Sequence, residues 1–207
     1  MLAVRASRIA HETAIAGARG AGQDRARVFD VGGGVVIALA DGAGGTGNGA
    51  TAAQAIIDAV GAVGTAADDW CTLLAGLDLD GDRLGHGQST AVVLSIVDAG
   101  VSGASVGDSG AWLLQGTEIF DLTDGQSRKP LVGSGCVPYR VEPVRFDGGT
   151  LLVASDGLVR YAKRSDIARL ASGTDLRSAA RALIDLVRLP NGALQDDVAV
   201  VLCRELV

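Results

Sequence analysis

The chain has 207 residues, of which 48% are hydrophobic and 20% charged, so it suits one domain with a substantial core and excludes a disordered chain. Its formal net charge of −6 argues against a nucleic-acid partner, because a phosphate backbone attracts a basic surface. No apolar run reaches the ~20 residues that a membrane span needs, and the N-terminus lacks the pattern of a signal peptide. We therefore expect a cytoplasmic protein with neither a nucleic-acid nor a membrane partner.

The first half of the chain is predicted to contain strands, a glycine-rich loop and two helices. Three glycines between two apolar segments indicate a hairpin. The loop at residues 41–49 leads into a segment whose apolar residues recur at helical spacing. The predicted elements are, in order, strands at Leu2–Ile9 and Thr13–Ala18, a hairpin of Val28–Val31 and Val35–Ala40, a helix after Asn48, and a helix at Trp70–Leu79.

From Ser89 onward, short apolar strands separated by Gly or Asp indicate an antiparallel meander. The region Ser165–Leu189 has a helical pattern with a break at Gly173, and Asp197–Cys203 predicts a buried strand. Because strands and helices occur in separate runs, the predicted class is α+β and not alternating βαβ. The strands of this half lie at Ser89–Val97, Val101–Val106, Ala111–Gln115, Glu118–Leu122, Val141–Phe146 and Thr150–Ala154.

Aspartates stand at the ends of the strands that look most buried. Asp41, Asp108 and Asp156 each follow an apolar strand, and the pair Asp196-Asp197 precedes the last one. A single Asp at a strand end is more often an ordinary turn, but four such places in one domain favour convergence of carboxylates. Clustered anions are tolerated when a cation neutralises them, and oxygen ligands without His or Cys favour Mg²⁺ or Mn²⁺ over Zn²⁺.

These aspartates belong to an ordered set of motifs that spans the chain from about Arg5 to Cys203. The motifs are Arg19-x-x-x-Gln23-Asp24, Asp41-Gly42-x-Gly44-Gly45, Gln88-Ser89-Thr90-Ala91, Gly107-Asp108-Ser109, Leu122-Thr123-x-Gly125, Ser155-Asp156-Gly157-Leu158 and Asp196-Asp197-Val198-Ala199. The set resembles the metal-dependent PPM (type 2C) serine/threonine protein phosphatases of the compact bacterial type. The resemblance implies a single domain over residues 1–207, folded as a four-layer αββα sandwich with two antiparallel sheets flanked by helices.

The resemblance also implies an activity and a set of partners. The protein would hydrolyse phosphoserine or phosphothreonine in a phosphoprotein substrate of a serine/threonine kinase, and it would act as a monomer. Its cofactors would be two Mn²⁺ or Mg²⁺ ions, with a third at a further site. Two such cations lower the pKa of a bridging water and clamp an in-line displacement, so water is the implied nucleophile.

The family's metal ligands carry over onto residues of this chain. Asp41 would bridge two ions, and Gly42 would offer its backbone carbonyl to the second. Asp156 and Asp196 would complete the shell of the first ion. A third ion would lie between Asp108 and Asp156.

Two further residues complete the implied site. Asp24 would hold a metal-bound water. Arg19 would grip the substrate phosphate, because a guanidinium fork suits phosphate oxygens. A solvated surface arginine is the other interpretation of Arg19, and the Gln23-Asp24 spacing behind it favours the binding role.

The chain departs from the family pattern in four places. Ala43 stands where eukaryotic members have a His general acid, so metal-bound water would protonate the leaving group. Gln23 replaces a Glu and removes one charge near the second ion, and Gly110 replaces a common Arg. Only nine residues separate Thr123 from Gly133, where bacterial members usually carry a few dozen that include a mobile flap. We therefore expect the flap to be missing and the rim of the site to be open.

Two other functions account for part of the sequence. The run Gly42-x-Gly44-x-x-Gly47 after an apolar strand satisfies the dinucleotide-binding pattern, but a second helix follows the first and no acidic residue ends a strand ~20 residues later. The second is a catalytically silent domain of the same fold that binds a partner or ligand. Its weakness is that a binding domain gains nothing from keeping so many clustered carboxylates.

Overall fold

The computed structural model describes residues 8–64, 69–116 and 118–206, which form ten strands and five α-helices. No helix in these ranges is long and apolar enough to cross a membrane. The strands are β1 Arg8–Ala16, β2 Arg25–Val31, β3 Gly34–Ala40, β4 Ala91–Val97, β5 Gly100–Val106, β6 Gly110–Gln115, β7 Glu118–Asp121, β8 Tyr139–Arg145, β9 Thr150–Ala154 and β10 Val198–Leu206. The helices are α1 Gly49–Val63, α2 Trp70–Asp78, α3 Asp156–Val159, α4 Arg164–Ala171 and α5 Leu176–Leu186.

The strands form two antiparallel five-stranded sheets, in the orders β1-β10-β9-β6-β7 and β2-β3-β4-β5-β8. The predicted α+β class with two antiparallel sheets is confirmed. The single meander predicted after Ser89 is wrong in one respect, because the chain leaves one sheet after β5 and enters the other at β6. Gly107 permits this crossing: its φ is +96°, and a Cβ there would lie 2.7 Å from Cγ2 of Thr90. Asp108 therefore lies on the connection between the sheets.

The alternation of side chains along β3 explains the layered architecture. Val35 and Leu39 pack between the two sheets, whereas Val36 and Ala40 pack in the outer cluster with α1 and α2. Burial on both faces accounts for the unbroken apolar sequence of this strand. The same alternation in β10 places Val201 between the sheets and its neighbours against α4 and α5. The result is the predicted order of helix, sheet, sheet and helix.

The N-terminal strand differs from its prediction. The sequence predicts two strands, Leu2–Ile9 and Thr13–Ala18, whereas the structure has the single strand β1, which runs through the polar residues His11 and Glu12. Residues 1–7 lie outside the described part of the chain. β1 is continuous because it pairs with β10 from Arg8 to Ala16, and this ladder of backbone hydrogen bonds outweighs the local polar interruption.

Candidate metal and phosphate site

Five aspartates from different elements converge at one edge of the sandwich. Asp41, just after β3, is close enough to Asp24, Asp156 and Asp196 for each of these carboxylates to raise its pKa. The pKa of Asp156, at the start of α3, is raised by burial and then by the charges of Asp108 and Asp196. The structure thus brings together all five aspartates that the sequence singles out.

Asp24 is the most buried member of this cluster, with only 1% of its surface exposed. Neither carboxylate oxygen has a hydrogen-bond partner with good geometry in the described part of the chain. Burial raises the pKa of Asp24 to about 6, although the nearby side chains of Ser155 and Asp41 act in the opposite direction. A buried carboxylate without a partner is costly, so Asp24 needs either a proton or a cation in its neighbourhood.

The backbone of Asp41 is held firmly by the start of β4. Its N–H donates to Oγ1 of Thr90 at 3.0 Å, and its carbonyl accepts from Oγ of Ser89 at 2.9 Å. Burial is the largest cause that raises the pKa of its carboxyl to about 10, followed by the charges of Asp24 and Asp156. In the absence of a cation, burial and the neighbouring carboxylates therefore favour the protonated form of Asp41.

Gly42 and Gly49 make the tight turn from β3 into α1 possible. A Cβ on Gly42 would lie 2.4 Å from the carbonyl carbon of Gly49, so no side chain fits between the loop and the helix. The side chain of Gln23 fills the remaining space: its Oε1 would lie 2.6 Å from a Cβ on Gly49 and is buried without a hydrogen-bond partner among the described residues. Gln23, one of the four positions at which the sequence departs from the family pattern, therefore packs against this turn.

Asp197 has a part in the site that the sequence analysis does not assign. Its carboxylate accepts hydrogen bonds from the backbone N–H of Ala18, at 2.7 Å, and of Gln23. These two bonds close the loop that carries Arg19. Arg19 is exposed and lines a cavity of about 560 Å³ together with Asp41 and Asp196. In the sequence, the only indication of this role of Asp197 is its position as the second carboxylate of the Asp196-Asp197 pair.

A second cavity of about 310 Å³ lies on the other side of the cluster and is lined by Asp108 and Asp156. Two arginines that the sequence analysis does not assign also line it. Nη2 of Arg128 is 2.8 Å from Oδ2 of Asp108, and Nη1 of Arg160 is 3.8 Å from Oδ2 of Asp156. Arg128 could not be found from local spacing, because it lies 20 residues from its partner, whereas Arg160 follows Asp156 by four residues, a helical spacing visible in the sequence.

The part of the cluster centred on Asp41 offers carboxylate oxygens, which are the ligands that hard divalent cations prefer. No group of three or more His, Cys, Asp or Glu among the described residues is arranged to hold an ion alone. Mg²⁺, however, usually binds through one or two carboxylates and keeps several waters. The unpartnered oxygens of Asp24 and the repulsion on Asp41 indicate a place for added positive charge. Asp108 is less suited to binding a cation, because its carboxylate already accepts hydrogen bonds from Arg128.

Comparisons with known proteins identify the fold. No protein-family model matches the chain, and no curated protein does. A solved bacterial serine phosphatase is 19% identical and superposes with a TM-score of 0.79, covering 95% of this chain and 98% of that one. The catalytic domain of the serine/threonine phosphatase PstP, in complex with two manganese ions, is 20% identical with a TM-score of 0.76, covering 97% and 99%.

A serine/threonine phosphatase from Staphylococcus aureus is 19% identical with a TM-score of 0.76, covering 96% of this chain and 94% of its own. The chain has the fold of the bacterial serine/threonine phosphatases. The resemblance found in the motifs is thereby confirmed at the level of the fold.

The phosphatase fold also argues against the dinucleotide-binding alternative. That motif requires two parallel strands joined by a helix. In this chain β3, which leads into the glycine-rich loop, pairs antiparallel with both β2 and β4. The glycines of the loop instead bring the N-terminus of α1 against the aspartate cluster.

Proposed function

We propose that the protein is a metal-dependent phosphatase that hydrolyses phosphoserine or phosphothreonine in protein substrates. The proposal includes a phosphoprotein made by a serine/threonine kinase as the substrate, and a protein that acts as a monomer in the cytoplasm. The observation that carries it is the buried carboxylate of Asp24, which lacks a hydrogen bond of good geometry among the described residues and lies beside Asp41, whose pKa is raised strongly by burial and by neighbouring carboxylates. A protein that never bound a cation would gain nothing from this arrangement.

Each residue of the cluster has a definite task in this proposal. Asp41, Asp156, Asp196 and the Gly42 carbonyl would hold Mn²⁺ or Mg²⁺, and Asp24 would order water beside them. When bound, two such ions would supply a water nucleophile at neutral pH and neutralise negative charge on the phosphate. Gln23 offers a neutral amide oxygen in place of a charged carboxylate, so we expect the second ion to bind more weakly.

The protein's own groups orient the substrate. Arg19 lies on the rim of the cavity that Asp41 and Asp196 line, where its guanidinium can donate two parallel hydrogen bonds to phosphate oxygens. Position 43 is alanine and provides no acid, so the proton for the departing hydroxyl comes from water. The site therefore acts by binding, charge neutralisation and alignment, without a protein nucleophile.

The proposed function is tested by metal-dependent hydrolysis of an aryl phosphate and of a phosphothreonine peptide. Excess chelator is expected to abolish turnover of both substrates, and added Mn²⁺ or Mg²⁺ to restore it. Full activity in chelator would overturn the metal-dependent mechanism. Tight Mn²⁺ binding without turnover of either substrate would instead support the catalytically silent domain.

The phosphate-binding role of Arg19 makes a separate prediction. Arg19→Ala is expected to raise KM about tenfold or more and to lower kcat less, because the phosphate is bound in both ground and transition states. Asp197→Asn should shift KM in the same direction by a smaller factor, since a weaker acceptor holds the Arg19 loop less firmly. Steady-state kinetics on the aryl phosphate measure both effects. A loss confined to kcat in Arg19→Ala would assign Arg19 another role.

A further inference from the structure

The contact between Arg128 and Asp108 joins a short connecting segment to the aspartate cluster. Nη2 and Nε of Arg128 both donate to Oδ2 of Asp108, at 2.8 and 3.3 Å. The carboxylate of Asp108 is 27% exposed, so it is partly withdrawn from water. Asp108 is also the residue that a third divalent ion would require.

Arg128 is held in this position by its own segment, which connects β7 to β8 through turns and contains no helix between residues 122 and 138. On the N-terminal side, Nε2 of Gln126 donates to the carbonyl of Ser109 at 2.7 Å. On the C-terminal side, Val132 exchanges two backbone hydrogen bonds with Ser89, at 3.0 and 3.2 Å. Both anchors lie next to site residues, so the segment brings the guanidinium of Arg128 to Asp108, although the Arg128 side chain remains 71% exposed.

A further anchor fixes the end of the segment to α2. The carboxylate of Asp78 accepts hydrogen bonds from four consecutive backbone N–H groups, at distances of 2.7 to 3.1 Å. These four belong to residues 133–136. A charged acceptor with several donors makes strong hydrogen bonds, so the path of the chain after Arg128 is well defined.

The electrostatics of the cavity agree with this placement. Arg128 lines the same cavity as Asp108 and Asp156. Its positive charge therefore lies in the same cavity as both carboxylates of the third-ion site. A divalent ion placed between Asp108 and Asp156 would meet a like charge within contact distance of one of its ligands.

We propose that Arg128 is a resident positive charge that takes the place of a third divalent ion at Asp108. The inference rests on the proposed function only in assuming that the neighbouring cluster around Asp41 binds metal. The short segment between Thr123 and Gly133 then supplies, through Arg128, the positive charge that a bound metal ion would otherwise provide at Asp108. The protein accordingly works with two divalent ions and does not bind a third at Asp108.

The experiment counts the Mn²⁺ ions bound per chain, by equilibrium dialysis at millimolar Mn²⁺ followed by metal analysis. We expect the wild type to bind two ions and Arg128→Gln to bind one more. Arg128→Lys, which keeps the charge, should bind the wild-type number. Asp108→Asn should leave the wild-type number unchanged, and the double variant Arg128→Gln with Asp108→Asn should lose the extra ion again. Circular dichroism of each variant reports whether it is folded.

Equal Mn²⁺ numbers in the wild type and folded Arg128→Gln would overturn the inference, as would a loss of one ion in Asp108→Asn alone. Because the Arg128 side chain is 71% exposed, Arg128→Gln is expected to fold, and Asp108→Asn tests separately whether Asp108 binds an ion in the wild type. Failure of the proposed function is distinct. It would appear as a wild type that binds no Mn²⁺ and hydrolyses no phosphate ester, whatever number the Arg128 variants add.

Discussion

Asp41→Asn and Asp156→Asn are each expected to lower kcat by about a thousandfold or more at saturating Mn²⁺, which corresponds to about 4 kcal/mol of transition-state stabilisation. Each replacement removes a negative charge that the proposed function uses to hold the cations. The side chains keep their size, so the fold should remain. The measurement is the initial rate of aryl phosphate hydrolysis over a range of Mn²⁺ concentrations.

Asp147→Asn is the matched control, because Asp147 is about half exposed and pairs with Arg145 at 2.7 Å away from the cluster. It should keep wild-type kcat and wild-type dependence on Mn²⁺. If Asp41→Asn retained a tenth or more of the wild-type kcat, the central role proposed for Asp41 would be wrong.

The metal-free protein is expected to lose stability as the pH rises, and Mn²⁺ should restore it. Burial and neighbouring charges raise the pKa of Asp24 to about 6 and that of Asp41 to about 10 in the folded chain, from 3.8 in the reference state. Between pH 4 and these values the folded state binds more protons than the unfolded state, so the free energy of unfolding falls with rising pH. The loss by pH 8 should be about 2 kcal/mol or more.

Urea unfolding in chelator at several pH values, followed by circular dichroism, measures this dependence. At pH 8 the metal-free wild type must either take up a proton on Asp41 or bury its charge; Asp41→Asn removes this cost, so the metal-free variant should be more stable than the metal-free wild type at pH 8. Added Mn²⁺ should stabilise the wild type and have little effect on the variant. A stability that stays level or rises between pH 5 and 8 in metal-free wild type would contradict the electrostatic account of the site.

Local patterns predicted most of the individual elements and the identity of the clustered aspartates. Unbroken apolar runs mark β3 and β10 as strands buried on both faces, and the helical spacing after Asn48 marks α1. Glycines at residues 32–34 marked the hairpin between β2 and β3. These features are readable because side-chain periodicity and turn geometry depend on neighbouring residues only.

Contacts between distant segments decided the rest. The chain crosses from one sheet to the other between β5 and β6. Strand length and connection length in the sequence are compatible with β6 in either sheet, so the hydrogen-bond partners formed on folding decide its place. The hydrogen bonds that Asp197 accepts from the backbone of Ala18 and Gln23 join residues more than 170 positions apart. The chemistry of the site arises in the same way: aspartates are visible in the sequence one by one, but the raised pKa of Asp41 and the pairing of Asp108 with Arg128 exist only once folding has removed water and brought these charges together.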